Sequence, residues 1–242
     1  AYRRYAEFLQ TKEDTRLEQG SSIANLQGEI CVRNLTFSYK GNVNEEGKLL
    51  KNVSFAIGKG EKVAFVGESG SGKSTLAKLL AGLLKYEDGS IQIDGKELKE
   101  LKLNNLYGSF NYLSQDAPVF DGTLRENLVF GKNVPEEKLN EAMEKMQLPP
   151  LLGNLKNGLD TEIGERGTAL SGGEKQRLAM ARLLLKENHV SGITILDEAT
   201  SAMDNLTEKQ VMTEILCHFK NQTVIAIAHR LNSVADFDKI LV

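Results

Sequence analysis

Apolar residues in this chain come in short runs set between polar, glycine-bearing stretches, and the spacing inside the runs changes partway along. Between Glu29 and Ile57 they alternate with polar residues, as in Ile30-Cys31-Val32, Leu35-Thr36-Phe37 and Val53-Ser54-Phe55-Ala56-Ile57. Side chains on a strand point to opposite faces in turn, so this pattern predicts antiparallel β-structure around the polar loop from Gly41 to Lys48. From Val63 onward the runs are separated by helix-patterned stretches. Val63 to Val66 leads into a glycine-rich loop and Leu76-Ala77-Lys78-Leu79-Leu80, and Asp88-Gly89-Ser90 turns into Ile91-Gln92-Ile93. Phe110 to Leu113, Ile193 to Leu196 and Val224 to Ala228 read as further short strands. Residues 135–147, opened by Pro135-Glu136-Glu137, and residues 172–187 carry helix start signals. Strands alternating with helices predict an α/β domain built on a mainly parallel sheet, with its ligand site at the carboxyl ends of the strands.

The first 19 residues are charge-rich, with Tyr5, Phe8 and Leu9 at helical spacing, before Gly20-Ser21-Ser22 breaks the pattern. They are expected to form a helical lead-in followed by a linker. The chain opens on Ala1 and closes on a strand-like Lys239-Ile240-Leu241-Val242, so both ends are expected to be cuts in something longer.

Composition narrows the class of partner. The 242 residues are 40% hydrophobic and 26% charged, as in an ordinary globular protein, and no apolar run approaches the roughly 18 residues of a membrane-spanning helix. The start, Ala1-Tyr2-Arg3-Arg4, lacks the apolar centre of a signal peptide, and the chain as given is expected to be soluble. A net charge of −3, with basic residues scattered among acids, argues against nucleic acid as a partner. Cys31 and Cys217 lie far apart in sequence, and with His189, His218 and His229 they never fall at metal-ligand spacing.

The chemistry is concentrated in three places. Gly67-Glu68-Ser69-Gly70-Ser71-Gly72-Lys73-Ser74-Thr75 follows a strand signal and opens a helix signal, the setting a phosphate-binding loop requires. Its glycines let successive N–H groups turn inward around a triphosphate, Lys73 can reach the outer phosphates, and the Ser74 hydroxyl can ligate Mg²⁺. Ile193-Thr194-Ile195-Leu196 ends in Asp197-Glu198, acids that a buried strand tolerates only at its mouth. Such a pair also suits a turn or helix cap; beside a phosphate loop it suits a metal-holding Asp197 and a Glu198 that polarises water, the two facing differently as side chains alternate along a strand. Leu170-Ser171-Gly172-Gly173-Glu174 combines a helix-capping serine with two glycines that expose N–H groups at a positive helix end, a second anion site.

With this last motif the chain resembles the ATP-binding cassette (ABC) ATPases, whose signature LSGGQ stands here with Glu174 in the glutamine position. The resemblance covers about residues 28–242. It implies a P-loop NTPase fold: a mainly parallel core sheet, an antiparallel β subdomain on the N-terminal side and a helical subdomain, about 116–186, carrying the signature. It further implies that Tyr39 stacks on adenine, where a half-buried strand tyrosine would otherwise be the plain reading. Gln115 would contact Mg²⁺ or the attacking water, and Asp204 would act in the loop joining two active sites, a role compatible with a helix cap. His229 would hydrogen-bond the γ-phosphate and orient Glu198.

The resemblance implies ATP and Mg²⁺ as ligands and a second cassette as partner. ATP held by Gly67 to Thr75 would be covered by Ser171, Gly172 and Gly173 of the other copy. Thr161-Glu162-Ile163-Gly164-Glu165-Arg166-Gly167, Asp121 to Leu128 and the lead-in Tyr5-Ala6-Glu7-Phe8-Leu9 are similar to exporter patterns. Residues 1–27 are therefore expected to join a transmembrane domain, at the cytoplasmic face of a plasma or bacterial inner membrane. Alternatives are a non-transport cassette or an importer cassette. The separation of 55 positions from Gln115 to Leu170 leaves no room for the coiled coil of DNA-repair types.

Overall fold

A computed structural model describes residues 15–23, 25–39, 49–164, 170–186, 192–228 and 234–242. Of the helical lead-in expected over the first 19 residues, residues 1–14 lie outside them, as does the loop 41–48, and Thr15–Leu17 form a single 3-10 turn. Strands β1 (Ile30–Phe37) and β2 (Leu50–Ile57) pair antiparallel, as the alternation predicts. Strand β1 buries Ile30, Val32, Leu35 and Phe37, a set that a plain two-residue period cannot place on one face. The register shifts between Val32 and Leu35, where Asn34 takes φ of 49° and its N–H and side chain bond the Ser54 hydroxyl. That bulge inserts one residue and returns Leu35 to the core.

Strand β3 (Lys62–Phe65) leads into the glycine-rich loop and helix α1 (Lys73–Leu80). Strand β4 (Asp88–Ile93), read from the sequence among the strands of the alternating region, pairs antiparallel with β1 instead. The reason is local: Asp94 and Gly95, both at positive φ, turn the chain straight back into β5 (Lys96–Glu97), and this two-residue hairpin can only join antiparallel strands. The first sheet therefore runs β2-β1-β4-β5.

Helix α2 (Leu103–Ser109) precedes β6 (Phe110–Leu113). A short ladder of β7 (Gly122–Thr123) with β8 (Glu162–Ile163) brackets helices α3 (Leu124–Val129), α4 (Glu136–Lys145) and α5 (Pro149–Gly153). Helix α6 (Gly172–Leu184) then leads towards β9 (Ile193–Asp197), followed by α7 (Asn205–His218), β10 (Thr223–Ile227) and β11 (Lys239–Leu241). The second sheet is wholly parallel, in the order β11-β3-β10-β9-β6. Helix α7 begins directly after Asp204, the residue that the sequence reading found compatible with a helix cap.

The parallel sheet is buried on both faces, and the pleat divides its residues between two apolar clusters. Ile193, Ile195, Ile225 and Ile227 face the antiparallel sheet, α1 and α2, with Ile30, Ile57, Leu79 and Ile91. Leu196, Val224 and Ala226 face the helices, with Leu124, Leu139, Met180 and Val211. Each such Val, Leu, Ile or Met side chain stabilises the fold by about 1.5–3 kcal/mol on burial. The strand ends at the mouth of the sheet, β3, β9 and β10, are thereby held in fixed relation. Residues ahead of β1 dock on the same body: Leu26 is buried, and Ser21 exchanges backbone hydrogen bonds with Glu100 and Lys102.

Candidate nucleotide site

The loop Gly67 to Thr75 leaves the carboxyl end of β3 and becomes the first turn of α1. Gly72 caps that helix at φ of 96°, and a Cβ there would come within 2.8 Å of Leu50 Cδ2, so both backbone and space demand glycine. Helix α1 has no side-chain cap and no acid in its first turn. Its leading N–H groups and positive end are thus left to the loop. The Lys73 ammonium lies within this loop, donating to the carbonyls of Gly67 at 2.8 Å and Glu68 at 2.7 Å.

Three side chains converge at the mouth of the sheet. The Ser74 hydroxyl donates to Asp197 Oδ1 at 2.7 Å, and the Tyr112 hydroxyl donates to Asp197 Oδ2 at 2.7 Å. Asp197 itself is only 4% exposed, so these donors stand where water would otherwise solvate the charge. Burial, and then the bond to Asp197, push the Tyr112 phenol well above the ordinary tyrosine range. Tyr39 sits at the rim, its ring edge-on to Phe37 at 5.1 Å and its hydroxyl 3.1 Å from Thr75 Oγ1. Nearly half of Tyr39 is exposed.

Glu198 departs from the sequence expectation in its cause. Strand β9 ends at Asp197, and Glu198 adopts φ of 52°, so its direction is set by a left-handed turn and not by strand alternation. Its N–H donates to Ile227 O at 3.3 Å, which pins the turn to the end of β10. A non-glycine residue held in that region carries strain of order 1–3 kcal/mol, a feature that clusters at functional sites. His229, expected nearby, lies outside the described residues; Ala228, just before it, donates its N–H to Phe65 O at the end of β3.

The second glycine-rich turn is built differently. Ser171 caps α6 in a closed capping box: its hydroxyl accepts from Glu174 N, and Glu174 Oε2 accepts from both Ser171 N and Ser171 Oγ at 2.7 Å. The bond from the Ser171 hydroxyl holds the Glu174 carboxyl below its ordinary range. Gly173 is buried against the turn that follows Glu198; a Cβ there would stand 2.9 Å from Ala202 O. Close approach adds to the exposed N–H groups as a reason for glycine. Gln176, only 5% exposed, clamps the same turn: its Nε2 donates to Ser201 Oγ at 3.1 Å and Glu198 O at 3.4 Å, and its Oε1 accepts from Ala202 N at 2.9 Å.

The structure therefore gathers Lys73, Ser74, Thr75, Tyr39 and Asp197 in one cluster. It brings Gly172 and Gly173 of the second glycine-rich turn against Ala202 instead, with Ser171 bonded to Glu174 beside them. Gln115 is exposed on the turn after β6 and lines a groove of about 770 Å³ with Asp116, Gly164, Leu170, Lys175 and Ser201. Asp204 caps α7, accepting from the N–H groups of Leu206 and Thr207 at 3.0 Å; the Thr207 side chain first, and then these backbone groups, lower its pKa. Sequence reasoning missed Tyr112 and Gln176. Gln176 left a signal, a polar residue at helical spacing from the buried Gly173, Ala179 and Met180; Tyr112 left none, because a strand tyrosine is ordinary.

The family model described as "ABC transporter" matches residues 50–201, a span that includes the phosphate loop, the signature turn and the Asp197–Glu198 pair. The chain belongs to the ABC transporter family. Across its full length the cassette is 40% identical to an uncharacterized ABC transporter ATP-binding protein, YwjA, of Bacillus subtilis, of which it covers 41%. It is 44% identical, over 90% of its length, to 31% of the mitochondrial iron-sulfur clusters transporter ATM1 of Saccharomyces cerevisiae. It is 39% identical, over 97% of its length, to 39% of the ATP-dependent lipid A-core flippase of Vibrio cholerae. A solved structure of a bacterial Atm1-family ABC exporter with ATP bound matches 99% of the cassette and 41% of that chain, at a TM-score of 0.86 and 32% identity. The cassette is thus an ATP-binding domain of the exporter type, and it spans roughly a third to two fifths of the relatives it matches.

Proposed function

We propose that the cassette binds MgATP, closes head to tail on a second cassette and hydrolyses ATP to ADP and phosphate to drive export through a transmembrane domain. The observation that carries this reading is the Lys73, Ser74 and Asp197 cluster at the mouth of a parallel sheet, in a chain of this family. Lys73 and the open N-terminus of α1 hold the outer phosphates, and Tyr39 stacks on adenine. Ser74 and Asp197 offer a hard, oxygen-only donor set. That suits Mg²⁺, which takes few protein ligands and completes its shell from phosphates and water. When bound, it neutralises charge on the phosphates.

Glu198 accepts the proton of the attacking water, with Gln115 and His229 orienting the reactants. Ser171, Gly172 and Gly173 cover the ATP of the partner copy, and Asp204 works in the turn between the two sites. The relatives' greater length supports a membrane domain as further partner, with the cassette at the cytoplasmic face of its membrane. No helix among the described residues is long and apolar enough to cross a membrane.

Glu198→Gln tests the reading. Light scattering with excess MgATP should show the monomer mass doubling while phosphate release stops; a mass that stays monomeric would overturn the sandwich.

A further inference from the structure

Among the described residues, the two Asp197 oxygens are each matched by one side-chain hydroxyl, Ser74 on Oδ1 and Tyr112 on Oδ2. In the β6–β9 register Tyr112 stands opposite Ile195, and residues two apart on a strand share a face. Tyr112 and Asp197 are therefore diagonal neighbours on one face, and the phenol reaches forward to Oδ2 at 2.7 Å. Ser74 spends its only proton on Oδ1 at 2.7 Å, so what its oxygen presents elsewhere is lone pairs, the form a hard cation takes.

We propose that Tyr112 is a positioning residue of the nucleotide site: by occupying Asp197 Oδ2 it fixes the carboxylate, and so fixes the Ser74 hydroxyl with its lone pairs turned to a divalent cation. Without that hydroxyl, Oδ2 would be a second acceptor for the Ser74 proton, and the serine could settle in either of two orientations. Strand β6 runs on into the turn that carries Gln115, so the same bond ties that turn to the metal-holding acid. The inference rests on the reading of Ser74 and Asp197 as the pair that serves Mg²⁺.

The test is a titration of the purified chain with a fluorescent ATP analogue, in Mg²⁺ and in EDTA. Tyr112→Phe keeps the ring and removes only the hydroxyl. Its Mg²⁺-free affinity should stay within about twofold of wild type, while the gain that Mg²⁺ brings should fall by about tenfold, the scale of a lost hydrogen bond to a charged group. Ser74→Ala should lose the same gain, and the double variant should lose no more, since both act through one carboxylate. Equal losses with and without Mg²⁺ in Tyr112→Phe would reduce Tyr112 to packing. Loss of the Mg²⁺ gain in Ser74→Ala but not in Tyr112→Phe would overturn the role of Tyr112 and leave the metal reading standing. A wild-type affinity indifferent to Mg²⁺ would remove both.

Discussion

The cassette contains two glycine-rich turns that open helices, and they treat the helix N-terminus in opposite ways. At α1 the cap is a left-handed glycine, no acid follows, and a lysine is folded into the loop. At α6 the cap is Ser171, and Glu174 closes a box over the first turn. Both carry the partial positive charge of a helix end, yet only the first leaves it uncompensated by its own chain. The difference teaches that a glycine-rich helix start is not by itself a complete anion site. The first turn of α1 is left open by its own side chains, whereas the first turn of α6 is partly closed by the Ser171–Glu174 box.

The strongest way to break this comparison is to disable the first turn. Lys73→Ala should weaken ATP binding to the isolated chain by about a hundredfold, the upper range for a charged hydrogen bond, while Ser171→Ala should leave it nearly unchanged. Nucleotide titration of both variants decides it; equal losses would make the two turns equivalent.

A smaller effect is expected from Gln176→Ala. The change leaves the Ala202 N–H and the Ser201 hydroxyl without their partner and should cost about 1–3 kcal/mol in denaturant unfolding. It should also slow phosphate release, because Glu198 shares the clamped turn. Unchanged stability would show that Gly173 packing alone holds the signature turn in place.

The smallest effect sharpens the role of Glu174. Its pKa is depressed in the folded state, so its contribution to stability is full above the ordinary carboxylate range and is lost as pH falls through the depressed value. The carboxylate is largely solvated, which keeps the contribution below about 1 kcal/mol. Glu174→Gln should unfold at a slightly lower temperature than wild type near neutral pH, and the gap should close in acid. A gap independent of pH would mean that the amide caps α6 as well as the carboxylate does.

Much of the site was legible because its parts are local. The phosphate loop, the Asp197–Glu198 pair and the capping Ser171 each follow from residue types at fixed spacing, and the loop, Asp197 and Ser171 stand on the kind of element expected. What escaped was cooperative. The left-handed turn at Glu198 is held by Ile227 O, the clamp at Gln176 reaches 26 residues ahead, and the Tyr112 bond crosses from β6 to β9. Strand β4 changed sheets for a related reason: its short apolar run fits either sheet, and only the Asp94-Gly95 hairpin and the pairing with β1 decide between them.

The sequence by itself thus determined the alternation of strands and helices, the phosphate loop in its strand-to-helix setting and the identity of the acids at the strand mouth, because periodicity and backbone sterics act over a few residues. Only the tertiary structure decided which hydroxyls complete the Asp197 carboxylate, which side chain fastens the signature helix to the Glu198 turn, and which sheet receives β4. Those depend on pairing between distant segments, and the spacing of residues along one segment does not name the partner on another.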